Sequence, residues 1–351
     1  MLLIDSHLDL AMNALKWDRN LDMSAHAIRA VEQGMSQKGR ARGTTAFPDM
    51  RRGEVGLAVV TVISRTARPN SPATGAACQE ISYAHAQGQL AYYRVCESQG
   101  KVRMITKPEE LDAHLADWEE REAEAPLGFI LSMEGADPIL GPEQVQSWWD
   151  DGLRAVSLSH YGVSAYAHGT GTEGGLTANG PALLKEMDKI GMILDVTHLA
   201  DQAFWQALDI FTGPIMASHN NCRTLVPGER QFDDAQLKAI IARAGVIGAA
   251  LDAWMLYPGW IKGETQPEVV SLEAVADNID HVCQLAGNVN HAAIGSDLDG
   301  GYGTEQTPHD LDTIADLQKI ADLLRIRGYA EEDVAAVLHG NWLRFFRAAW
   351  S

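Results

Sequence analysis

Short apolar, β-prone runs alternate along this chain with longer amphipathic ones, and that alternation narrows the fold more than any other feature. The strand candidates are Leu2–Ile4, Leu57–Ile63, Phe129–Met133, Ala155–Leu158, Met192–Val196, Pro214–Ala217, Val246–Leu251 and Ala292–Gly295. Several are apolar at nearly every position, as expected where a parallel sheet buries both faces. Between them lie helical patterns such as Pro181–Ile190, Asp234–Arg243, Leu272–Leu285 and Leu311–Arg325. Eight β-then-α units in 351 residues, 46% of them hydrophobic, predict an α/β fold: a (β/α)8 TIM barrel rather than an open sheet. Val102–Ile105 is a ninth, weaker strand candidate. Ala11–Glu54 breaks the rhythm as a long insertion after the first strand and carries a basic patch of Lys38, Arg40, Arg42, Arg51 and Arg52. Glu109–Glu124 is highly charged and reads as a solvated helix. No repeat or linker composition is visible, so a single domain over residues 1–351 is the simplest parse.

Unusual polar residues cluster just after these strands. IDSHLDL ends the first strand on His7 and Asp9, which alternate and so share a face. Glu134 follows Phe129–Met133, His160 follows Ala155–Leu158, and His198 follows Met192–Val196. His219 follows Pro214–Ala217 and Asp297 follows Ala292–Gly295. A lone histidine after a strand is usually a hydrogen-bonded structural residue. Strand ends of a barrel, however, converge on one rim, where active sites sit. Imidazoles and carboxylates without thiolates suit zinc or a similar divalent ion. There are enough for two ions, with Glu134 bridging, His7 and Asp9 on one, and His198 and His219 on the other. A water between such ions would ionise near neutral pH and attack a carbonyl.

The formal charge of −19 disfavours nucleic acid as a partner. Four scattered cysteines (Cys78, Cys96, Cys222, Cys283) form no CxxC pair and signal neither a zinc knuckle nor a disulfide scaffold. No signal peptide and no membrane-length apolar run are visible, so no membrane partner and a cytoplasmic location are the expectations. The glycine-rich GTGTEGG (Gly169–Gly175) lacks the Lys-Ser/Thr of a phosphate-binding loop and reads as a mobile loop. His26, His168 and His339 are assigned no role.

The pieces DSHLDL, FPDMRRGEVG, SMEGAD, SLSHYG, GLTANGPALLKEMDKIGMILDVTH, ASHNNCR, RQFDD, GSDLDG and GNWLRFF run nearly end to end. In order and spacing the chain resembles the renal (membrane) dipeptidase family of zinc metallopeptidases, within the amidohydrolase superfamily. The resemblance implies a (β/α)8 barrel, two zinc ions per chain and hydrolysis of small dipeptides, including those with a D-residue at the C-terminal position. It implies His7, Asp9, Glu134, His198 and His219 as metal ligands. It places His160 and Arg230 on the substrate and Asp297 at the proton-transfer position. Asp297 would act as general base and then acid, and His160 would donate to the oxyanion. Arg230 would fork onto the substrate carboxylate. A homodimer is left open.

The sequence departs from the family pattern in places. HLD stands where HND is usual, DVTH replaces DLSH, and Tyr161 stands where Asn is usual. GAALDAWML places Asp252 and Trp254 where an Asn-aromatic pair is common, which leaves side-chain preference undefined. An N-acyl amino acid deacylase or lactonase of the same superfamily would share the metal chemistry. A non-catalytic metal-binding protein would have lost a ligand or Asp297, and neither is lost.

Overall fold

The computed structural model describes residues 1–68, 74–121 and 124–350. Among the described residues nine strands form in chain order: β1 (Leu3–Leu8), β2 (Val55–Ile63), β3 (Val102–Met104), β4 (Leu127–Glu134), β5 (Leu153–Ser157), β6 (Ile193–Asp195), β7 (Ile215–Met216), β8 (Ile247–Ala249) and β9 (Ala292–Ile294). All pair in parallel, in the order β1-β2-β4-β5-β6-β7 and, separately, β8-β9. Backbone bonds join the two sheets: Ala217 N–H donates to Val246 O at 3.0 Å, and Asp297 N–H to His7 O at 3.2 Å. The ring is the expected (β/α)8 barrel. β3 stays outside it, pairing only with the start of β4.

Alternation along the strands sends one apolar set into the barrel. Ile4, Val59, Ile130, Ala155, Ile193, Met216, Val246 and Ala293 pack together there, one from each barrel strand or its flank. Trp342 and Phe346 of the C-terminal helix Asn341–Ala349 close this end, and Trp342 Nε1–H donates to Ile294 O at 3.0 Å. GNWLRFF is thus a plug. The opposite end is left to the polar residues. No helix among the described residues is long and apolar enough to cross a membrane.

Three local expectations need correction. Leu311–Arg325 is not one helix: a 3-10 turn at Ile314–Gln318 precedes the helix Lys319–Ile326. A capping box between Thr313 and Asp316, and a bond from Ile314 N–H to Thr44 O, restart the chain there. The charged segment does form a helix (Pro108–Arg121), but it buries Leu111, His114 and Trp118 on one face rather than standing free in water; residues 122–123 lie outside the described residues. The glycine-rich run is tied down, with Thr170 N–H donating to His160 O at 3.0 Å and Gly169 N–H to Gly162 O at 2.8 Å.

The insertion after β1 folds as short helices (Leu10–Lys16, Ala25–Val31 and Phe47–Arg52) pinned to the barrel by a buried carboxylate. Asp299, in a left-handed turn at φ 62°, accepts from Thr44 N–H and Oγ1–H at 2.8 Å each, from Thr45 N–H at 3.0 Å and from Arg19 at 3.3 Å. Removing it leaves the Thr44 and Thr45 N–H groups and the Thr44 hydroxyl without their acceptor away from water, while Arg19 keeps Glu32, Asn13 and Gly39 O. Asp299→Ala should therefore cost about 3–5 kcal/mol, seen as a lower urea midpoint. An unchanged midpoint would mean the pin carries no load.

Candidate metal and active site

Every sequence-nominated side chain arrives at one end of the barrel. His7 is in β1, Asp9 begins the next helix, and Glu134 ends β4. His160, His198, His219, Arg230 and Asp297 lie in the loops after β5, β6, β7 and β9. The Nε2 atoms of His198 and His219 each stand 3.3 Å from Glu134 Oε1, with those of His160 and His7 at 3.5 and 3.6 Å. His7 Nε2 is also 3.9 Å from an oxygen of Asp9 and of Asp297.

The hydrogen bonds on the far ring nitrogens decide what each imidazole offers. Ser218 Oγ has one proton and two lone pairs. It donates to Asp195 Oδ2 at 2.5 Å and lies 2.9 Å from His219 Nδ1 and 3.4 Å from His7 Nδ1. With its proton given to the carboxylate, it can only accept from both rings, so each carries its proton on Nδ1 and bares Nε2. Thr170 Oγ1, 2.9 Å from His198 Nδ1, serves the third ring in the same way. His160 differs. Arg65 is a pure donor 2.6 Å from its Nδ1, so the proton of that ring sits on Nε2. His160 is near enough to join a ligand set with Glu134 and His198, but a protonated Nε2 makes it a hydrogen-bond donor instead.

Three bare lone pairs therefore face inward. His198 and His219 present theirs to one another at 3.1 Å, and the buried His7 Nε2 has no hydrogen-bond partner. A proton is a poor remedy. Burial, with the Arg230 guanidinium, holds His7 down at about 3, and burial likewise holds His198 and His219 well below the ordinary range. The carboxylates show the complementary strain. Burial first, then Asp9, raises Glu134 well above its usual range; burial raises Asp9 to about 6. The residues fit cations. Donors around a tetrahedral zinc stand roughly 3.3 Å apart, given Zn–N distances near 2.0–2.1 Å. His198, His219 and Glu134 match that spacing on one side; His7, Asp9 and Glu134 form a slightly wider set on the other.

Around this centre, Asp297 is the most open acid, its side chain 15% exposed against 4% for Asp9 and Glu134. It adopts φ 57°, and burial followed by repulsion from Glu134 and Asp9 raises its carboxyl. Arg230 is buried, donating to His219 O at 2.9 Å and Asn220 Oδ1 at 3.2 Å. Arg65, which orients His160, also lines a cavity of about 620 Å³ with Met12, Leu15, Lys16 and His85. His26 and His339 are engaged elsewhere, by Asp312 and Leu2 O.

Arg65, Thr170, Asp195 and Ser218 escaped the sequence reading. Asp195 and Ser218 did leave a trace, as polar residues abutting apolar strands in DVTH and ASH. Asp195 also accepts from Thr197 N–H at 3.1 Å, shaping the turn that presents His198 at φ 69°. Ser218→Ala should free the Nδ1 protons of His7 and His219. Long-range nitrogen–proton NMR of the metal-free protein should then show mixed tautomers, and divalent-ion affinity should fall by ~10–100-fold. Unchanged tautomers in the variant would contradict this assignment.

Residues 1–350 match the family model described as membrane dipeptidase, Peptidase family M19. An uncharacterized Klebsiella pneumoniae protein from the pqqA 5′ region is 29% identical over 275 residues, 75% of this chain and 95% of that one. The dipeptidase aclJ of Aspergillus oryzae is 28% identical over 353 residues, 97% of this chain and 76% of that one. A Rhodobacter sphaeroides metallopeptidase, solved with a phosphinate mimic of the dipeptide L-Ala-D-Ala, superposes with a TM-score of 0.81 at 21% identity, covering 100% of this chain and 99% of that one. The chain belongs to the membrane dipeptidase family, Peptidase M19, and is a peptide hydrolase.

Proposed function

We propose that this chain is a binuclear zinc dipeptidase that accepts a D-residue at the C-terminal position of its substrate. The observation that carries the reading is the set of three bare imidazole nitrogens converging, with Asp9, on the one carboxylate of Glu134. His7 and Asp9 would hold one ion, His198 and His219 the other, and Glu134 both. Bound there, divalent ions supply a Lewis acid for the scissile carbonyl and a water made acidic enough to ionise near neutral pH.

The protein's own groups do the rest. Asp297, raised in pKa and open to the cleft, accepts the proton of the attacking water and returns it to the leaving amine. His160 Nε2–H, held by Arg65, donates to the oxygen that gains charge as the carbonyl becomes tetrahedral. Arg230 spends two N–H groups on His219 O and Asn220, leaving three of its five for the substrate carboxylate. Tolerance of a D-residue is supported by the L-Ala-D-Ala mimic in the Rhodobacter relative.

A dipeptide offers a free carboxylate at a fixed distance from its only peptide bond, and Arg230 would measure that distance. Amidating the substrate's C-terminus, or replacing Arg230 with Met, should lower kcat/KM by ~10²-fold, about 2–3 kcal/mol. Both together should cost little more than either, since they remove the same contact. If the amide is cleaved as fast as the free acid, the N-acyl amino acid deacylase or lactonase reading takes its place.

A further inference from the structure

Two lysines from distant parts of the chain act on the same buried acid, Asp252, beside this site, and none of the roles above uses them. Lys262 lies in the loop after β8, its ammonium 4.2 Å from the centroid of the Trp254 ring. That ring is fixed from below. Trp254 Nε1–H donates to Asp252 Oδ2 at 2.6 Å, and Gln306 Nε2–H donates to Oδ1 at 2.7 Å. Leu251 N–H donates to Ser296 O at 2.9 Å, which holds the loop next to Asp297. Lys262 lies within electrostatic reach of Asp252, Asp297 and Arg230.

Lys38 comes from the insertion after β1 and acts on the same Asp252 and on Lys262. It belongs to the basic patch noted in the sequence, most of which is used internally. Arg40 reaches Glu32 and Trp17 O, Arg51 reaches Ala125 O, and Arg52 reaches Asp49 and Thr313. Among the described residues, neither Lys38 nor Lys262 has a carboxylate within ion-pair distance. Asp252 is the acid nearest in field, but both its oxygens already accept from neutral donors. In a chain of net charge −19, these are two exposed lysines beside the acids of the site, without an ion-pair partner among the described residues.

We propose that Lys262, resting on the face of Trp254, and Lys38 form a subsite for an acidic side chain on the C-terminal residue of the substrate, so that Xaa-Asp and Xaa-Glu dipeptides are preferred. The inference rests on the dipeptidase reading. It assigns the C-terminal residue because Arg230 and Asp297, the neighbours of Lys262, serve that residue's carboxylate and its amine. The indole face steadies the Lys262 ammonium, and the flexible lysine stems bring the ammonium groups to the carboxylate.

The test compares kcat/KM for Ala-Glu, Ala-Ala and Ala-Lys, with the C-terminal residue in both configurations. Wild-type protein should favour Glu over Ala by ~10-fold and disfavour Lys, with the preference shrinking as salt screens it. Lys262→Met should bring the Glu-to-Ala ratio close to unity, Lys38→Met should lower it part of the way, and Lys262→Glu should shift preference to Ala-Lys. A ratio indifferent to Lys262→Met, or a wild-type preference for Ala-Lys, overturns the subsite while leaving the dipeptidase standing. If no dipeptide is turned over but N-acyl amino acids or lactones are, the dipeptidase reading falls and the subsite with it.

Discussion

Glu134 sits buried at the end of β4 with four imidazole Nε2 atoms 3.3–3.6 Å from its Oε1. Only His160 has a proton to give it, because Arg65 occupies the opposite nitrogen of that ring. The other three rings turn lone pairs toward a carboxylate, and two of them toward each other at 3.1 Å. Such an arrangement is repulsive unless positive charge lies among the donors. Protonating the rings is opposed by burial and by the Arg230 guanidinium. The demand for cations is therefore built into the protein's own hydrogen bonding.

The rest of the fold serves that demand. Barrel closure brings loops from β1, β4, β5, β6, β7 and β9 within reach of one point, while Trp342 and Phe346 seal the other end with apolar surface. Buried acids then fix the details. Asp5 accepts from the backbone of His7 at 3.1 Å and of Ser296 at 2.9 Å, stitching the last strand to the first. Asp195 and Ser218 set the rings, and Asp299 holds the insertion that carries Lys38. Close approach here requires glycine: a Cβ at Gly295 would lie 1.7 Å from Ser218 O.

Residues that combine a strong chemical type with a position after an apolar run were legible in the sequence. His7, Glu134, His198, His219 and Asp297 each announce a strand end, and strand ends of a barrel must meet. Arg65 could not be found that way, since its role comes from a long side chain crossing to His160 from a segment with no motif. Ser218 was assigned no role beside His219; its function depends on Asp195 and His7, which approach it only in the folded ring. The segment Leu311–Arg325 misled because helical periodicity is blind to a capping box that restarts the chain at Thr313. Lys38 stood in the sequence only as one member of a basic patch, and only the folded insertion brings it into the field of Lys262.

The central claim is that one carboxylate organises two cation sites, and metal titration of the wild-type chain and Glu134→Gln tests it most directly. The account expects two divalent ions per wild-type chain and a weakening of both sites together in the variant, since a neutral amide replaces the charge they share. One ion per wild-type chain, or a variant that keeps one site at full affinity while losing the other, would contradict it.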